Sequence, residues 1–485
     1  MLYIALERKY RMNSIKHFAK STIVYFIGSV LTKVISFLLL PLYTEKITTD
    51  AMGYYNVSTT CLSVVTSVLC LEIWTGILRF MFDHQRKEER YSAVFNGMVI
   101  FSASLTLYVL LFVILRFVAP FQNIGLIALY GISVMLQSVY CSIGRGLECN
   151  TTFAVSGIIG SLVNSCTNIV LILFLHMEIE AMYIAGIFGF FVQTMILETR
   201  VKLLSHFRKK YLDKTVIKKM LLFSLPLSLN AVSYWMLTGY NNVAISNILG
   251  MSENGIFSVA ARFSIIMTTV ATCFTMAWQE LVYSKGNDTD RTSFYSKASD
   301  YYLKFLLFAL IILIPSIKIA FPLLVKPAYN AAFYLVPLNL LASVASILSS
   351  FYGNIFSAEK KTKIIFAAAF GAAIVNVCLL HLLIGKLGAQ AANISLFCGF
   401  MTDIFIKVFA LKRQVKLKID YAFLGIGSLL FIASFCIYLK LNNIFNLLFL
   451  LIALLLMAFT FRDILRLGFK KGRVLFVAWK TRKNL

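Results

Sequence analysis

Long apolar runs follow one another along almost the whole chain, each ended by a short polar connection. Runs of spanning length fall at about 19–43, 54–80, 92–118, 123–147, 151–175 and 181–204. After a basic stretch they continue at about 220–249, 255–282, 300–325, 329–357, 362–385 and 388–411, and two more follow at about 421–440 and 443–461. Each approaches the ~20 residues a helix needs to cross ~30 Å of hydrocarbon, so the pattern predicts an all-α polytopic membrane protein of about 14 transmembrane helices.

The connections alternate in charge. With the N-terminus inside, the inner segments carry Arg8 to Lys20, then Arg86, Lys87 and Arg90, then six Lys/Arg from Arg208 to Lys219. They continue with Lys285, Arg291 and Lys297; with Lys360, Lys361 and Lys363; with Lys412, Arg413, Lys416 and Lys418; and with a basic tail. The outer connections hold only Lys46, Lys326, Lys386 and Lys440, among acids such as Glu45, Asp50, Glu178, Glu180 and Glu253. Basic residues concentrate on the cytoplasmic side of membrane proteins, so both termini are expected inside. The basic N-terminus leads into a run of full span length without a small-residue cleavage site, which predicts a retained first helix rather than a signal peptide. Met12 offers an alternative start.

The pattern also begins again at Met220. Gly53-Tyr54-Tyr55-Asn56-Val57-Ser58 matches Gly255-Ile256-Phe257-Ser258-Val259-Ala260 in spacing and character, and Arg145-Gly146-Leu147-Glu148 is echoed by Ser357-Ala358-Glu359-Lys360. The expected organisation is a six-helix lobe (1–204), a basic cytoplasmic linker (205–219), a second six-helix lobe (220–411), two extra transmembrane helices (412–462) and a basic cytoplasmic tail (463–485). An even number of spans precedes each half, which makes the halves a parallel repeat with a site at their interface.

Composition narrows the function. At 59% hydrophobic residues and a mean hydropathy of +0.81, the chain is not soluble. A net charge of +25 suggests nucleic acid, but its placement between apolar runs matches loops facing anionic lipid instead. The cysteines are scattered with no CxxC, and the histidines have no ligand spacing, so no disulfide framework, metal or cofactor is expected. There is no GxxxxGK[ST] phosphate loop. Asp288-Thr289-Asp290 mimics the DxD of sugar transferases, but it sits in a short inner loop with no catalytic domain. No catalytic residue is predicted, and the chain reads as a transporter rather than an enzyme.

Five stretches carry a resemblance: Pro41-Leu42-Tyr43-Thr44, Ala51-Met52-Gly53-Tyr54-Tyr55, Leu225-Pro226-Leu227-Ser228-Leu229-Asn230, Ile248-Leu249-Gly250 and the segment from Asn254 to Arg262. With the hydropathy of the whole chain, they resemble the polysaccharide-repeat flippases (O-antigen and capsule translocases) of the multidrug/oligosaccharidyl-lipid/polysaccharide exporter superfamily. The resemblance implies a MATE-like pair of lobes in a bacterial cytoplasmic (inner) membrane. It implies translocation of polyprenyl-diphosphate-linked oligosaccharide from the inner to the outer leaflet, by alternating access, for lipopolysaccharide or capsule biosynthesis. Membrane lipids, a polysaccharide polymerase and assembly proteins are the implied partners. One departure is Asn241-Asn242, where many relatives carry a charged residue late in span seven.

Ionisable residues inside spans are the candidates for chemistry, because each is costly unless paired or hydrated. Lys33, Arg79 and Arg262 are the candidate cations for an anionic headgroup. Lys33 lies near the middle of span one, and Arg262 seven residues past Gly255, roughly 10 Å below the outer surface. A cation early in span eight is also what the resemblance implies for lipid-diphosphate cargo. Glu72 and Arg79, seven apart in span two, are expected to share a helix face about two turns apart. Glu72 is either a proton or cation site or the partner of Lys33. Asn230, beside the Pro226 break, and Glu280, at the inner end of span eight, are candidate polar or ion-coupling groups. Asp403 and Lys407, four apart in span twelve, are expected to satisfy each other. The rivals are a multidrug exporter of the same superfamily and a membrane polysaccharide polymerase or glycosyltransferase. The large outer loop such enzymes use is absent.

Overall fold

A computed structural model describes residues 30–83, 86–118, 121–206, 211–284, 291–359, 361–413 and 420–462. Among them there is no strand. The helices are α1 (30–38), α2 (Leu40–Lys46), α3 (Thr49–Leu69), α4 (Ile73–Met81), α5 (Lys87–Val118), α6 (Ile124–Gly146), α7 (Asn150–Leu173), α8 (Ile179–Val201) and α9 (Leu203–His206). They continue with α10 (Lys214–Thr238), α11 (Tyr240–Ile248), α12 (Met251–Ser284), α13 (Arg291–Leu324), α14 (Ala332–Ala358), α15 (Thr362–Leu387), α16 (Gln390–Lys412), α17 (Tyr421–Lys440) and α18 (Asn443–Thr460).

Twelve of these are long and apolar enough to cross a membrane, and α3 with α4 forms a further span bent by 51°. They correspond to the thirteen expected runs after the first, which begins outside the described residues. The protein is a multi-pass membrane protein. Two spans differ from expectation. Span two is not the single helix expected, with Glu72 and Arg79 on one face: it breaks at Cys70–Glu72, where Leu71 (φ 50°) and Glu72 (φ 52°) turn left-handed. Span seven starts earlier, so Lys214 to Lys219 of the expected linker are helical. Asp213 caps that start, accepting from Thr215 N (2.7 Å) and Val216 N (3.4 Å). Buried Asn96 fastens the preceding loop to α5 through Tyr211 O (2.8 Å) and Asp213 N (2.9 Å).

The helices form two compact units. The larger comprises the chain up to Asp288 together with Leu324–Arg413. Lipid is as apolar as leucine, so helices in a bilayer associate through close packing at small residues and interhelical hydrogen bonds rather than hydrophobic burial. The repeat is visible in where this close packing occurs. In the crossing of α3 and α12, a Cβ on Gly53 would fall 1.9 Å from Met251 O, and one on Gly255 would fall 2.0 Å from Thr49 O. Each glycine faces the carbonyl four residues before its counterpart, so the contact is reciprocal and any side chain would prise the helices apart.

A second correspondence relates the packing of α7 on α8 to that of α15 on α16. A Cβ on Gly189 would meet Gly160 O (2.8 Å) and Asn164 Cβ (2.9 Å); one on Gly399 would meet Ala372 O (3.0 Å) and Asn376 Cβ (3.2 Å). The matching Gly160-x-x-x-Asn164 and Ala372-x-x-x-Asn376 segments are the sequence trace of this equivalence. The core of the first half joins Ile77 and Met81 of α4 to Phe101 and Tyr108 of α5, Met135 and Ile143 of α6, and Leu197 of α8. In the second half Trp278 of α12 stacks on Phe351 of α14, with ring centroids 4.4 Å apart, and donates to its carbonyl (3.2 Å).

The smaller unit comprises Thr289–Leu323 and the chain from Gln414 onward, which includes α17 and α18. Lys304 bridges Asp300 (2.9 Å) and Asp420 (3.1 Å), the residue that caps α17. Lys318 donates to the carbonyls of Tyr438 and Leu441 at the other end of α17. The outward faces of α18, Ile444, Leu455 and Phe459 among them, are exposed and apolar, as a lipid-facing helix requires.

Candidate functional site

The membrane-embedded cations of the larger unit fall into two kinds. Lys407 of α16 is buried and meets Asp403 at 2.6 Å one turn before it. Ser349 Oγ of α14 donates to the same carboxylate (2.5 Å) and accepts from Lys407 Nζ (3.2 Å), so every charge here has a protein partner. That is the pairing the four-residue spacing predicts.

Lys33 and Arg262 are the other kind. Lys33 Nζ donates to Thr272 Oγ1 of α12 at 3.3 Å and has no carboxylate partner among the described residues. In particular, it does not pair with Glu72. Arg262 lies with its guanidinium carbon 4.8 Å from the centre of the Tyr43 ring and a nitrogen 3.7 Å from Met52 Sδ. Tyr55 and Tyr329 are close enough to feel its charge, and no acid pairs with it among the described residues. A desolvated cation–π contact contributes about 2 kcal/mol. Placing Arg or Lys mid-span costs about 2.5–3.5 kcal/mol on insertion scales and more in an isolated helix. Stacking therefore leaves part of the charge to be met by water or by an anion. Lys33 and Arg262 both reach α12, at positions ten residues apart, roughly 15 Å along its axis.

The remaining candidates are placed differently. Glu72 sits at the left-handed break of span two, where the side chains of Ser67, Trp74 and Thr75 approach its carboxylate, with Thr75 Oγ1 at 3.5 Å. Arg79 is exposed and pairs with Asp83. Asn230 is exposed on α10, one turn beyond Pro226. Glu280 belongs to α12, with its side chain outside the described residues. Asn241 and Asn242 are taken up by packing: Asn242 accepts from Asn56 of α3 (2.8 Å), while Asn241 bonds Ala392 O (3.0 Å) and Asn376 (2.8 Å).

Sequence reading missed two features. Lys304 and Lys318 lie inside the expected run 300–325, where their charge alone was a signal. Gln137 and Gln193 meet at 3.1 Å beside a cavity of about 360 Å³ among α1, α6, α7 and α8. Isolated glutamines within apolar runs gave no indication that they converge.

The model of the family described as "Polysaccharide biosynthesis protein" matches residues 18–279, more than half of the chain and all of its first repeat from the first expected span onward. The chain belongs to the polysaccharide biosynthesis protein family. The search of curated proteins finds no sequence match. Among solved structures, this family member is similar to the lipid II flippase MurJ in an inward closed conformation, with a TM-score of 0.68 at 15% identity, over 91% of this chain and 100% of that one. It is also similar to a multidrug resistance MATE family transporter of the MOP superfamily. The inward-facing form gives a TM-score of 0.60 at 15% identity, over 81% of this chain and 98% of that one. The outward-facing form gives 0.57 at 13%, over 82% and 95%. At such identities these likenesses establish the fold, one shared with MurJ and the MATE transporter and built of two repeated lobes.

Proposed function

We propose that this polysaccharide biosynthesis family member is a flippase for polyprenyl-diphosphate-linked oligosaccharide repeat units and not an enzyme. It moves them from the inner to the outer leaflet of a bacterial cytoplasmic membrane, with both termini inside. The observation that carries this reading is the pair of membrane-embedded cations, Lys33 and Arg262, without a carboxylate among the described residues where Lys407 has one. A diphosphate supplies the missing anion, and the guanidinium fork suits its oxygens. An exporter of cationic drugs would instead need carboxylates at these positions.

The mechanism follows from the repeat. Two lobes of like orientation expose a central site to one side and then the other. The headgroup crosses between them on Lys33 and Arg262 while the polyprenyl tail stays in the bilayer. Glu72, at the break in span two, is the candidate for ion coupling.

The test is a deletion strain of the native host, scored for surface polysaccharide and for the pool of completed lipid-linked repeats. Lost polysaccharide with repeats held on the inner leaflet is the expected result. Normal polysaccharide with raised drug sensitivity would overturn it in favour of an exporter. Repeats that reach the outer leaflet but stay unpolymerised would indicate an enzyme.

A further inference from the structure

The cavity among α1, α6, α7 and α8 is lined by Thr32, Ser36, Gln137, Ser161, Asn164 and Gln193, with the rings of Phe153 and Phe190 beside them. All are neutral. Its volume of about 360 Å³ falls at the lower end of small-molecule sites, ~300–1,000 Å³. That is room for a small polar body rather than an oligosaccharide or a prenyl chain.

The lining is a face and not an accident of loops. Phe153, Gly157, Gly160, Ser161 and Asn164 recur at helical spacing on α7, while Val155, Ile159 and Leu162 between them are exposed on the other side. The amides are held and yet retain capacity. Gln193 accepts from Gln137 Nε2 (3.1 Å) and donates to Cys141 Sγ (3.5 Å), and Asn164 Oδ1 accepts from Asn168 (2.9 Å). Gln137 Oε1 and the amide nitrogen of Asn164 have no partner among the described residues.

The second half shows what the same place looks like when it is closed. Gly189 and Gly399 are equivalent by their packing, so Gln193, four residues after the first, corresponds to Asp403, four after the second. Across from them, Gln137 of α6 takes the place of Ser349 of α14. Where the second half fills this position with an ion pair, the first leaves paired amides around open space.

The ligand chemistry follows by elimination and by fit. A metal ion needs carboxylates and an anion needs cations, and the lining has neither; its surface is mixed, with polar and apolar parts of similar extent, which suits a ligand that has both hydroxyls and a C–H face. Amides that present a donor and an acceptor side by side match adjacent hydroxyls, and two ring faces match the C–H face of a pyranose. Lys33 follows Thr32 on α1 and turns its ammonium to Thr272 of α12, so the cavity and the cation are served by the same helix.

We infer that this cavity is a sugar subsite: it takes one neutral hexose-type ring of the lipid-linked cargo while the diphosphate lies on Lys33. This rests on the flippase reading above.

The experiment compares binding of two probes to the full-length protein in nanodiscs: undecaprenyl diphosphate, and the same lipid bearing one N-acetylhexosamine. Gly157 lines the cavity, and a Cβ there would meet only Gln193 Nε2, at 3.7 Å, so it can be filled without a backbone clash. Wild type is expected to prefer the sugar-bearing lipid about tenfold, the worth of one or two hydrogen bonds. Gly157→Leu is expected to erase that preference and to leave binding of the bare lipid unchanged. Gly157→Ala, which fits, is expected to retain it, and Gln137→Leu to reduce it. Equal weakening toward both lipids, or an undiminished preference in Gly157→Leu, would overturn the subsite while leaving the flippase reading intact. A wild type that binds neither lipid would overturn both.

Discussion

The two halves of the larger unit put the same helix pair to opposite uses. Between α14 and α16, Ser349, Asp403 and Lys407 close on one another; between α6 and α8, Gln137 and Gln193 border a cavity, and Lys33 of the adjoining α1 has a hydroxyl but no carboxylate among the described residues. A lysine inside a membrane is therefore not by itself a mark of a binding site. What separates the two cases is whether a carboxylate stands one turn away, and that can be engineered in either direction.

The largest effect is expected from opening the closed half. Asp403→Asn or Lys407→Met leaves a buried charge alone, which costs about 3–5 kcal/mol. A fall in melting temperature of the detergent-solubilised protein should register it. Removing both partners, as in Asp403→Leu with Lys407→Met, should recover much of the loss and leave transport near normal. Failure to recover would mean the pair does more than satisfy itself.

Removing the two cations that lack a carboxylate comes next. On the proposed flippase reading, Arg262→Ala and Lys33→Ala each delete one charge-assisted contact to the headgroup, worth about 1.5–3 kcal/mol, or roughly 10- to 100-fold in flipping. Accumulation of lipid-linked repeats in complemented cells would report it, with the melting temperature unchanged or raised. Closing the open half is sharper still as a diagnosis. Thr272→Asp supplies Lys33 with the carboxylate that Lys407 already has, so transport should fall by a similar factor while the fold gains stability. Transport at the wild-type rate in that variant would remove Lys33 from the path.

Smaller effects belong to the parts that move or only brace. Pro226 leaves one carbonyl of α10 without its donor, and α10 packs on α3, α4 and α5 of the first half and on α15 and α16 of the second. Pro226→Ala should slow transport a few-fold without affecting insertion, and unchanged rates would dismiss the bend.

The smallest effect is on the rim pair Lys304–Asp420. The Asp420 carboxyl is held below the usual carboxylate range, first by Phe423 N–H and then by the Lys304 ammonium. Its contribution is full above the ordinary carboxylate pKa and fades as pH falls through the lower folded value. A melting curve followed into acid should show Asp420→Asn converging with wild type only there.

Much of this was legible in the sequence, for reasons that differ by residue. Apolar runs of bilayer length leave little choice of element, which is why thirteen spans recur where expected. The Asp403–Lys407 pair was legible because its members lie on one helix, and the Gly53–Gly255 echo because close crossing tolerates no other residue. The break at Cys70–Glu72 was hidden, since neither Leu71 nor Glu72 advertises a left-handed turn as glycine would. The cavity was hidden for a different reason. Gln137, Asn164 and Gln193 come from three helices, and which way each faces is set by packing that no local pattern encodes.

The crossing of α3 and α12 has a mechanical side. Helices that meet through interlocked side chains must lift knobs out of holes before they can turn, and each such step requires a change of rotamer. Gly53 and Gly255 present bare backbone to bare backbone instead. A joint built this way behaves as a pinned hinge rather than a ratchet: no rotamer need change, but Asn254, donating to Gly53 O (3.0 Å), and Ser252, donating to Thr49 Oγ1 (2.7 Å), fix the point about which the helices turn.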